Sequence, residues 1–479
     1  HPDGASPSHF GFARFLDYGP DGRLNWDRME AAGVYLGHME DQLGGTSNGG
    51  AVTHATGAKV YAESFGYEQG NLPITSLDGS NNTIVEAAIQ AGKVTALVQS
   101  GAIFEPGTAA FVAKTEEIVN PNGTRVVPRA QAAEIAKQVI QSGVNFIFGG
   151  GELNLLPVGA AGFHGTAAQY DALSTSSSLR PSQNLIELAQ SLGYTVVYTK
   201  DQLDSLINGA VLPEKVLGVF APIHTFNDRA EEQLAAAGLP FYAPTAPAIA
   251  DMLTAAQRLM EAHPSFDKGS ITIVEEEGTD NFGNNNNAAG TLEALRRADA
   301  AIGVALDFVE RHPNTLVITA ADSDAGGLQV RDPLASDRPV GSISNNPIDG
   351  TSGRNLPTDG VTGVNSLPFL SAPDQNGDRF SLSIAWAGLP DFSGSIVSKA
   401  HGLNAERLPA TLDNTKIYEL MYETLFDTEI ASRLPDQIKT APQANQPTGN
   451  VIFIHPDGST PSSFMALRNI DKGPDGRLN

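Results

Sequence analysis

The chain has 479 residues, 41% of them hydrophobic and 18% charged, which supplies ample core and excludes disorder as its main description. With 30 Lys and Arg against 54 Asp and Glu the formal charge is −24, so the surface repels phosphate backbones and nucleic acid is not an expected partner. The absence of Cys excludes disulfides, thiolate zinc sites and a Cys nucleophile, and no run of 18 apolar residues offers a membrane span. In chain order, strand-like apolar runs are predicted at 94–98, 144–148, 194–198, 216–220, 271–274, 315–319 and 381–387. Helix-period segments are predicted at 83–91, 129–142, 246–262, 288–311 and 415–426. Strands alternating with helices imply an α/β fold, a large, mostly parallel central sheet sandwiched by helices. In such sheets ligands bind beyond the carboxyl ends of the strands. Three apolar runs lead into acids there, at Asp457, at Glu275-Glu276-Glu277 and at Asp322, which suggests a cation site or, for any one of them, a solvated loop acid.

The two ends of the chain resemble each other. HPDGASPSHFGFARFLDYGPDGRLN at 1–25 and HPDGSTPSSFMALRNIDKGPDGRLN at 455–479 are identical at 16 of 25 positions, with a constant offset of 454. The second copy is preceded by Asn450-Val451-Ile452-Phe453-Ile454, a β-branched apolar run that reads as a buried strand. No such run precedes His1 in the chain. The expected organisation is a domain over 1–438, a Pro/Gln/Asn-rich linker over 439–449, and the start of a second copy over 450–479. That second start is expected to complete a domain, in cis or in a neighbouring subunit, and an end-to-end filament is the assembly this favours.

Several motifs in order then resemble the alkaline phosphatase family across nearly the whole 454-residue unit. IFIHPDG resembles the family's opening metal-ligand segment, and TSNGGAVTHATGAK at 46–59 resembles its nucleophile segment. GSITIVEEEGTDNFGNNNNAAG at 269–290 and TLVITAADSDAGG at 315–327 resemble its two later metal segments. NLIELAQSLGYTVVYT, KVLGVFA and LDNTKIYELM resemble lesser markers. The resemblance implies a phosphomonoesterase with a Ser nucleophile and divalent cations, acting on phosphate esters outside the cytoplasm, secreted, extracellular or periplasmic.

By that resemblance Ser47 stands at the nucleophile position; a plain helix N-cap is the alternative. Arg129 is the candidate phosphate clamp, with Arg125 competing. Asp3, or Asp457 in the second copy, together with Glu275, Asp280 and Asp322, match the family's carboxylate ligands, and Glu105 matches a magnesium ligand whose Thr partner is here Gly107. The family's three histidines do not carry over: Asn284 and Ser323 stand at two of the positions, and the third falls near Gly377, in DQNGD at 374–378, a loop like half a calcium loop that adds Asp378 to the expected ligands. His54, beside the nucleophile segment, reads as a packing residue. Oxygen donors remain where nitrogen donors are lost, so calcium or magnesium is favoured over zinc. The alternative is a catalytically degenerate phosphatase-fold repeat serving as a structural subunit of an extracellular filament or surface array.

Overall fold

The computed structural model describes residues 1–331, 358–394, 396–433 and 461–475. The predicted linker, the strand expected at Val451–Ile454 and Asp457 lie outside these described residues.

Nine strands form two sheets. In chain order they are β1 (Ala31–Leu36), β2 (Val94–Ala102), β3 (Phe146–Gly150), β4 (Thr195–Val197), β5 (Val216–Val219), β6 (Ser270–Glu275), β7 (Leu316–Thr319), β8 (Val397–Gly402) and β9 (Thr411–Asp413). The first sheet is all parallel, in the order β6-β2-β3-β5-β4. Its middle strands are buried along their whole length, with Thr95, Gln99 and Ser100 the polar residues among otherwise apolar or glycine positions, as a sheet covered on both faces requires. The second sheet runs β7-β8-β1-β9, with β1 antiparallel to β8 and parallel to β9.

The helices that matter for the site are α1 (Pro7–Asp17), α2 (Ser47–Thr56), α3 (Ala132–Gln141), α4 (Ile249–Ala262), α5 (Gly278–Asn284), α6 (Ala288–Arg311), α7 (Lys416–Phe426) and α8 (Pro461–Asp471). On one face of the parallel sheet, α2, α3 and the turn Pro106–Ala109 bury Val52, Ile135 and Ala109 against Leu97 and Ile147. On the other, α4 and α6 bury Met252, Leu259 and Ala301 against Val98, Phe146 and Phe148. Along its other side α6 buries Leu292, Leu295 and Ile302 with Phe10 and Phe12 of α1. Within the described residues, every strand and helix expected from hydrophobic period is present within a few residues, and the helix at 288–311 has the expected bounds.

The DQNGD loop is an exposed turn between Phe369–Leu370 and Ser381–Ala385, two short strands that pair with each other. Asp374 Oδ1 accepts from the backbone amides of Asn376 and Asp378, both at 2.8 Å, which closes the turn on itself. Asp378 is exposed in that turn and is not among the residues gathered at the strand ends. The expectation that it is a ligand is corrected: an Asx turn with alternating oxygens looks the same in sequence as half a cation loop.

Candidate active site: carboxylates around the nucleophile helix

The site forms at the carboxyl ends of β6 and β7, where the chain entering from His1 meets both. His1 to Asp3 runs parallel beside the end of β6: the terminal amine donates to Val274 O at 2.7 Å, Glu276 N donates to His1 O at 3.1 Å, and Asp3 N donates to Glu276 O at 3.2 Å. This short ladder sets Asp3 next to Glu275 and Glu277, and all three are buried with carboxylate oxygens within 4.8 Å of one another. A second group of the same dimension joins Asp3 to Asp322 and His1. The first residues of α5 carry Asp280 into the same place, where a methyl on Gly4 would stand 2.6 Å from its Oδ1.

Asn284, one turn after Asp280, donates to both Asp280 oxygens at 3.1 and 3.0 Å and to Asp391 Oδ1 at 2.9 Å. Ser323 Oγ donates to Asp322 Oδ1 at 3.3 Å. Asp391 therefore joins the cluster, which Asp378 does not. It is carried there by the pairing of residues 391–392 with residues 324–325, a long-range contact. The Asn run splits: Asn284 belongs to the cluster, Asn285 donates to Asp228 at 2.6 Å, and Asn287 caps α6 by accepting from Gly290 N at 2.7 Å.

Burial is the leading cause that raises Asp3, Glu275, Glu277, Asp280, Asp322 and Asp391 above the usual carboxylate range, and like-charge neighbours add to it. For His1, burial works downward but Asp3 and Glu275 outweigh it and lift the imidazole to about 9. Its Nδ1 lies 3.2 Å from Glu275 Oε1. Both carboxylate oxygens of Asp3, and one each of Glu275, Glu277 and Asp322, are buried with no hydrogen-bond partner among the described residues. Orphaned buried acceptors of this kind are costly unless a cation or proton meets them. The donor set is mostly hard oxygen and fits a divalent metal.

Ser47 is the first residue of α2 and is nearly buried. Thr46 caps the helix: its Oγ1 accepts from Gly49 N at 3.2 Å and donates to Ala62 O at 2.6 Å. The flanking glycines press this N-terminus against the carboxylates. A methyl at Gly45 would stand 2.2 Å from Asp322 O, and one at Gly50 would stand 2.8 Å from Asp322 Cβ. The expected N-cap role thus falls to Thr46, which leaves the Ser47 hydroxyl for other work. His54 is a packing residue as expected, its Nε2 2.7 Å from the Tyr35 hydroxyl, and burial, then His1 and Lys59, hold it down to about 3.

Of the two arginines weighed, Arg129 belongs to the site and Arg125 does not. Arg129 lies in the turn before α3 and donates to Glu105 Oε2 at 3.1 Å. Burial opposes its charge, yet Glu105, Glu277 and Asp3 outweigh that and raise its pKa. Arg125 pairs with Glu117 on the surface. Glu105 opens the short helix at Pro106–Ala109, whose Gly107 faces Glu275 at a distance that leaves no room for a side chain.

Sequence reasoning placed Glu277 only within the strand-end acid run and missed Asp391 and His1. It also missed a second buried group, in which Lys59 Nζ lies 2.9 Å from Asp413 Oδ2 and donates to Asn414 Oδ1 at 2.6 Å. Beside it, His38 Nε2 is 3.1 Å from Asp475 Oδ1 of the C-terminal repeat.

Comparison with known proteins gives the same answer as the geometry. The alkaline phosphatase family profile matches residues 2–345. Streptomycin-6-phosphate phosphatase of Streptomyces griseus is 26% identical over 350 residues, 67% of this chain and 71% of that protein. Repressible alkaline phosphatase of Saccharomyces cerevisiae is 24% identical over 305 residues, 60% of this chain and 46% of its own length, so the chain spans less than half of that relative. Among solved structures, the alkaline phosphatase of the Antarctic bacterium TAB5 superposes with a TM-score of 0.60 at 18% identity, covering 88% of this chain and 96% of its own. The Thermus thermophilus alkaline phosphatase gives 0.61 at 18% identity, covering 88% and 89%. A mutant of the TAB5 enzyme has been solved with magnesium bound. With the α/β fold, the carboxylate cluster at the strand ends and the profile match in agreement, the chain belongs to the alkaline phosphatase family.

Proposed function

We propose that this chain is a phosphomonoesterase in which Ser47 is the nucleophile, Arg129 binds phosphate oxygens, and divalent cations, calcium or magnesium before zinc, sit among Asp3, Glu275, Glu277, Asp280 and Asp322. The observation that carries this reading is the packing of the α2 N-terminus on Asp322, which sets Ser47 against carboxylates whose oxygens lack partners among the described residues. The first backbone amides of α2 favour an anionic phosphate. The Arg129 fork, oriented by Glu105, supplies charge-assisted donors to the phosphoryl oxygens. Ser47 Oγ gives up its proton and bonds to phosphorus as the ester oxygen leaves with its electron pair and takes up a proton; water then adds to phosphorus, the Oγ–P bond breaks, and a proton from that water restores the serine hydroxyl and frees phosphate. A bound divalent cation supplies neutralisation of phosphoryl charge. His1 is the single imidazole in a set otherwise made of oxygen, which supports a hard cation over zinc. The Streptomyces griseus relative is named for a phosphate ester, streptomycin-6-phosphate, and a phosphate monoester is the substrate class proposed here.

The reading in which the chain is a structural repeat without turnover draws on one observation. Met465, Arg468 and Asn469 of the C-terminal helix line a narrow crevice with His38, Gly45 and Asp322. The two readings separate on a phosphoryl-enzyme trap. The chain is incubated with a phosphate ester and magnesium, quenched in acid, and mapped by mass spectrometry. Phosphate on Ser47, absent from Ser47→Ala, is expected. Turnover with the label on another residue, or with no loss in Ser47→Ala, refutes the nucleophile.

A further inference from the structure

Gln99, on β2, is 1% exposed and stands opposite Glu275 in the parallel ladder. Residues opposite each other in such a ladder project from the same face of the sheet, so the Gln99 amide and the Glu275 carboxylate share one side. The pairing of β2 with β3 shifts register between Val98 and Ala102, and irregularities of this kind re-aim side chains beside active sites.

The nitrogen of the amide fixes its orientation. Gln99 Nε2 donates to Thr108 Oγ1 at 2.6 Å and to Glu105 O at 3.3 Å. A backbone carbonyl only accepts, so turning the amide over would set two acceptors against each other. Gln99 Oε1 points instead toward Gly101, where a methyl would stand 2.4 Å from it and 3.3 Å from Glu277 Cγ. Glycine at 101 keeps this space open. Glu277 is held beside it by its own amide, which donates to Ser100 Oγ at 2.9 Å.

Gln99 Oε1, Glu275 Oε2 and Glu277 Oε2 are each buried with no hydrogen-bond partner among the described residues. Glu275 and Glu277 belong to the group with Asp3 whose carboxylates lie within 4.8 Å of one another. A carboxylate in such a place can take up a proton. An amide carbonyl cannot at any pH where a protein folds, so it needs a donor or a cation.

We infer that Gln99 Oε1 is a direct ligand of a divalent cation held with Glu275 and Glu277, a neutral oxygen donor on the β2 side of the cluster. The inference rests on the cation reading proposed above. A neutral donor suits the place, because a fourth carboxylate beside Asp3, Glu275 and Glu277 would add like-charge repulsion. Calcium takes about six to eight oxygens, amide carbonyls among them, so Gln99 favours calcium over magnesium at this position. The same amide reaches the phosphate clamp: its nitrogen holds the Glu105 carbonyl, and the Glu105 carboxylate accepts from Arg129.

Terbium, a luminescent stand-in for calcium, reads the contact without turnover. Crystals of the full chain soaked in terbium are expected to show an anomalous peak within about 2.6 Å of Gln99 Oε1. In solution, Gln99→Leu is expected to weaken terbium binding by about tenfold or more and to add a water to the bound ion, counted from emission lifetimes in H₂O and D₂O. Gln99→Glu, which keeps an oxygen at the same reach, is expected to hold the parent's water count. Peaks elsewhere in the cluster with none in reach of Gln99 Oε1 overturn the inference, as does a water bridging that oxygen to the ion. So does Gln99→Leu with an unchanged water count and an affinity within threefold of the parent. No terbium bound by the parent overturns this assignment together with the cation reading, whereas binding without the Gln99 contact overturns the assignment alone.

Discussion

Gly107 tests the carboxylate cluster through space alone. A methyl built on it stands 1.6 Å from Glu275 Oε1, 2.0 Å from Cδ and 2.4 Å from Oε2, where contacts under 3.0 Å essentially never occur. To accept Ala the Glu275 carboxylate must retreat by at least 3.0 − 1.6 = 1.4 Å. Its backbone cannot follow, because Glu275 is held opposite Gln99 in the parallel ladder and is fully buried. The retreat breaks the contact with His1 Nδ1 and removes one arm from the Asp3–Glu275–Glu277 group. Overpacking of this kind costs about 1–3 kcal/mol of stability. Disturbing a ligand's position costs about 10–100-fold in metal affinity, which is about 1.4–2.8 kcal/mol. Gly107→Ala is therefore expected to weaken magnesium or calcium binding by calorimetry and to lower the urea midpoint. Glu275→Asp, one methylene shorter, is expected to relieve part of the Gly107→Ala stability loss in a double-mutant cycle. Unchanged metal affinity within threefold, with an unchanged midpoint, refutes the reasoning.

Three further outcomes follow from the same structure. Asp413→Ala leaves Lys59 buried without its carboxylate and is expected to cost about 3–5 kcal/mol in urea unfolding, while the double change Lys59→Met, Asp413→Leu recovers much of it. Arg129→Ala is expected to raise KM for a phosphate ester and weaken inhibition by inorganic phosphate at least tenfold, with Arg129→Lys intermediate; loss of kcat alone contradicts the clamp. Glu231 is pushed up to about 9 by burial and then by Asp359, while Ala289 N donates to it at 2.6 Å. An acid raised in the folded state keeps its proton longer there than in the unfolded chain, so its contribution to stability is complete below the unfolded value of about 4.3 and is lost as pH rises through about 9. Glu231→Gln is expected to gain on the parent steadily from pH 5 to 9, measured as urea midpoints, and a constant difference across that range contradicts it.

The parts of the fold legible in the sequence are those that one period describes. Strands such as Phe146–Gly150 and Val216–Val219 are buried on both faces and read as unbroken apolar runs, and the long helix 288–311 repeats its apolar positions with a clear start at Asn287. Ala31–Leu36 and Val397–Gly402 escaped because neither carries such a run: one opens Ala-Ala-Gly, the other holds Ser, Lys and His, and they are strands because they pair with each other. The site divides in the same way. Ser47, Glu275, Asp280 and Asp322 lie in local motifs, so their vicinity was readable. Glu277 was readable only as one of three consecutive acids, since a period of two along β6 does not say which residue past the strand end turns inward as the chain enters α5. Asp391 reaches the cluster only through pairing with residues 324–325, and no local pattern separates it from Asp378.

The measurement that bears most directly on a Ser47 phosphatase dependent on hard cations is turnover of a chromogenic phosphate ester by metal-stripped protein, with magnesium, calcium or zinc restored singly, for the parent chain and Ser47→Ala. Turnover restored by magnesium or calcium, weaker with zinc, and lost in Ser47→Ala is the expected result. Full turnover without added cations, restoration by zinc alone, or undiminished turnover in Ser47→Ala contradicts it.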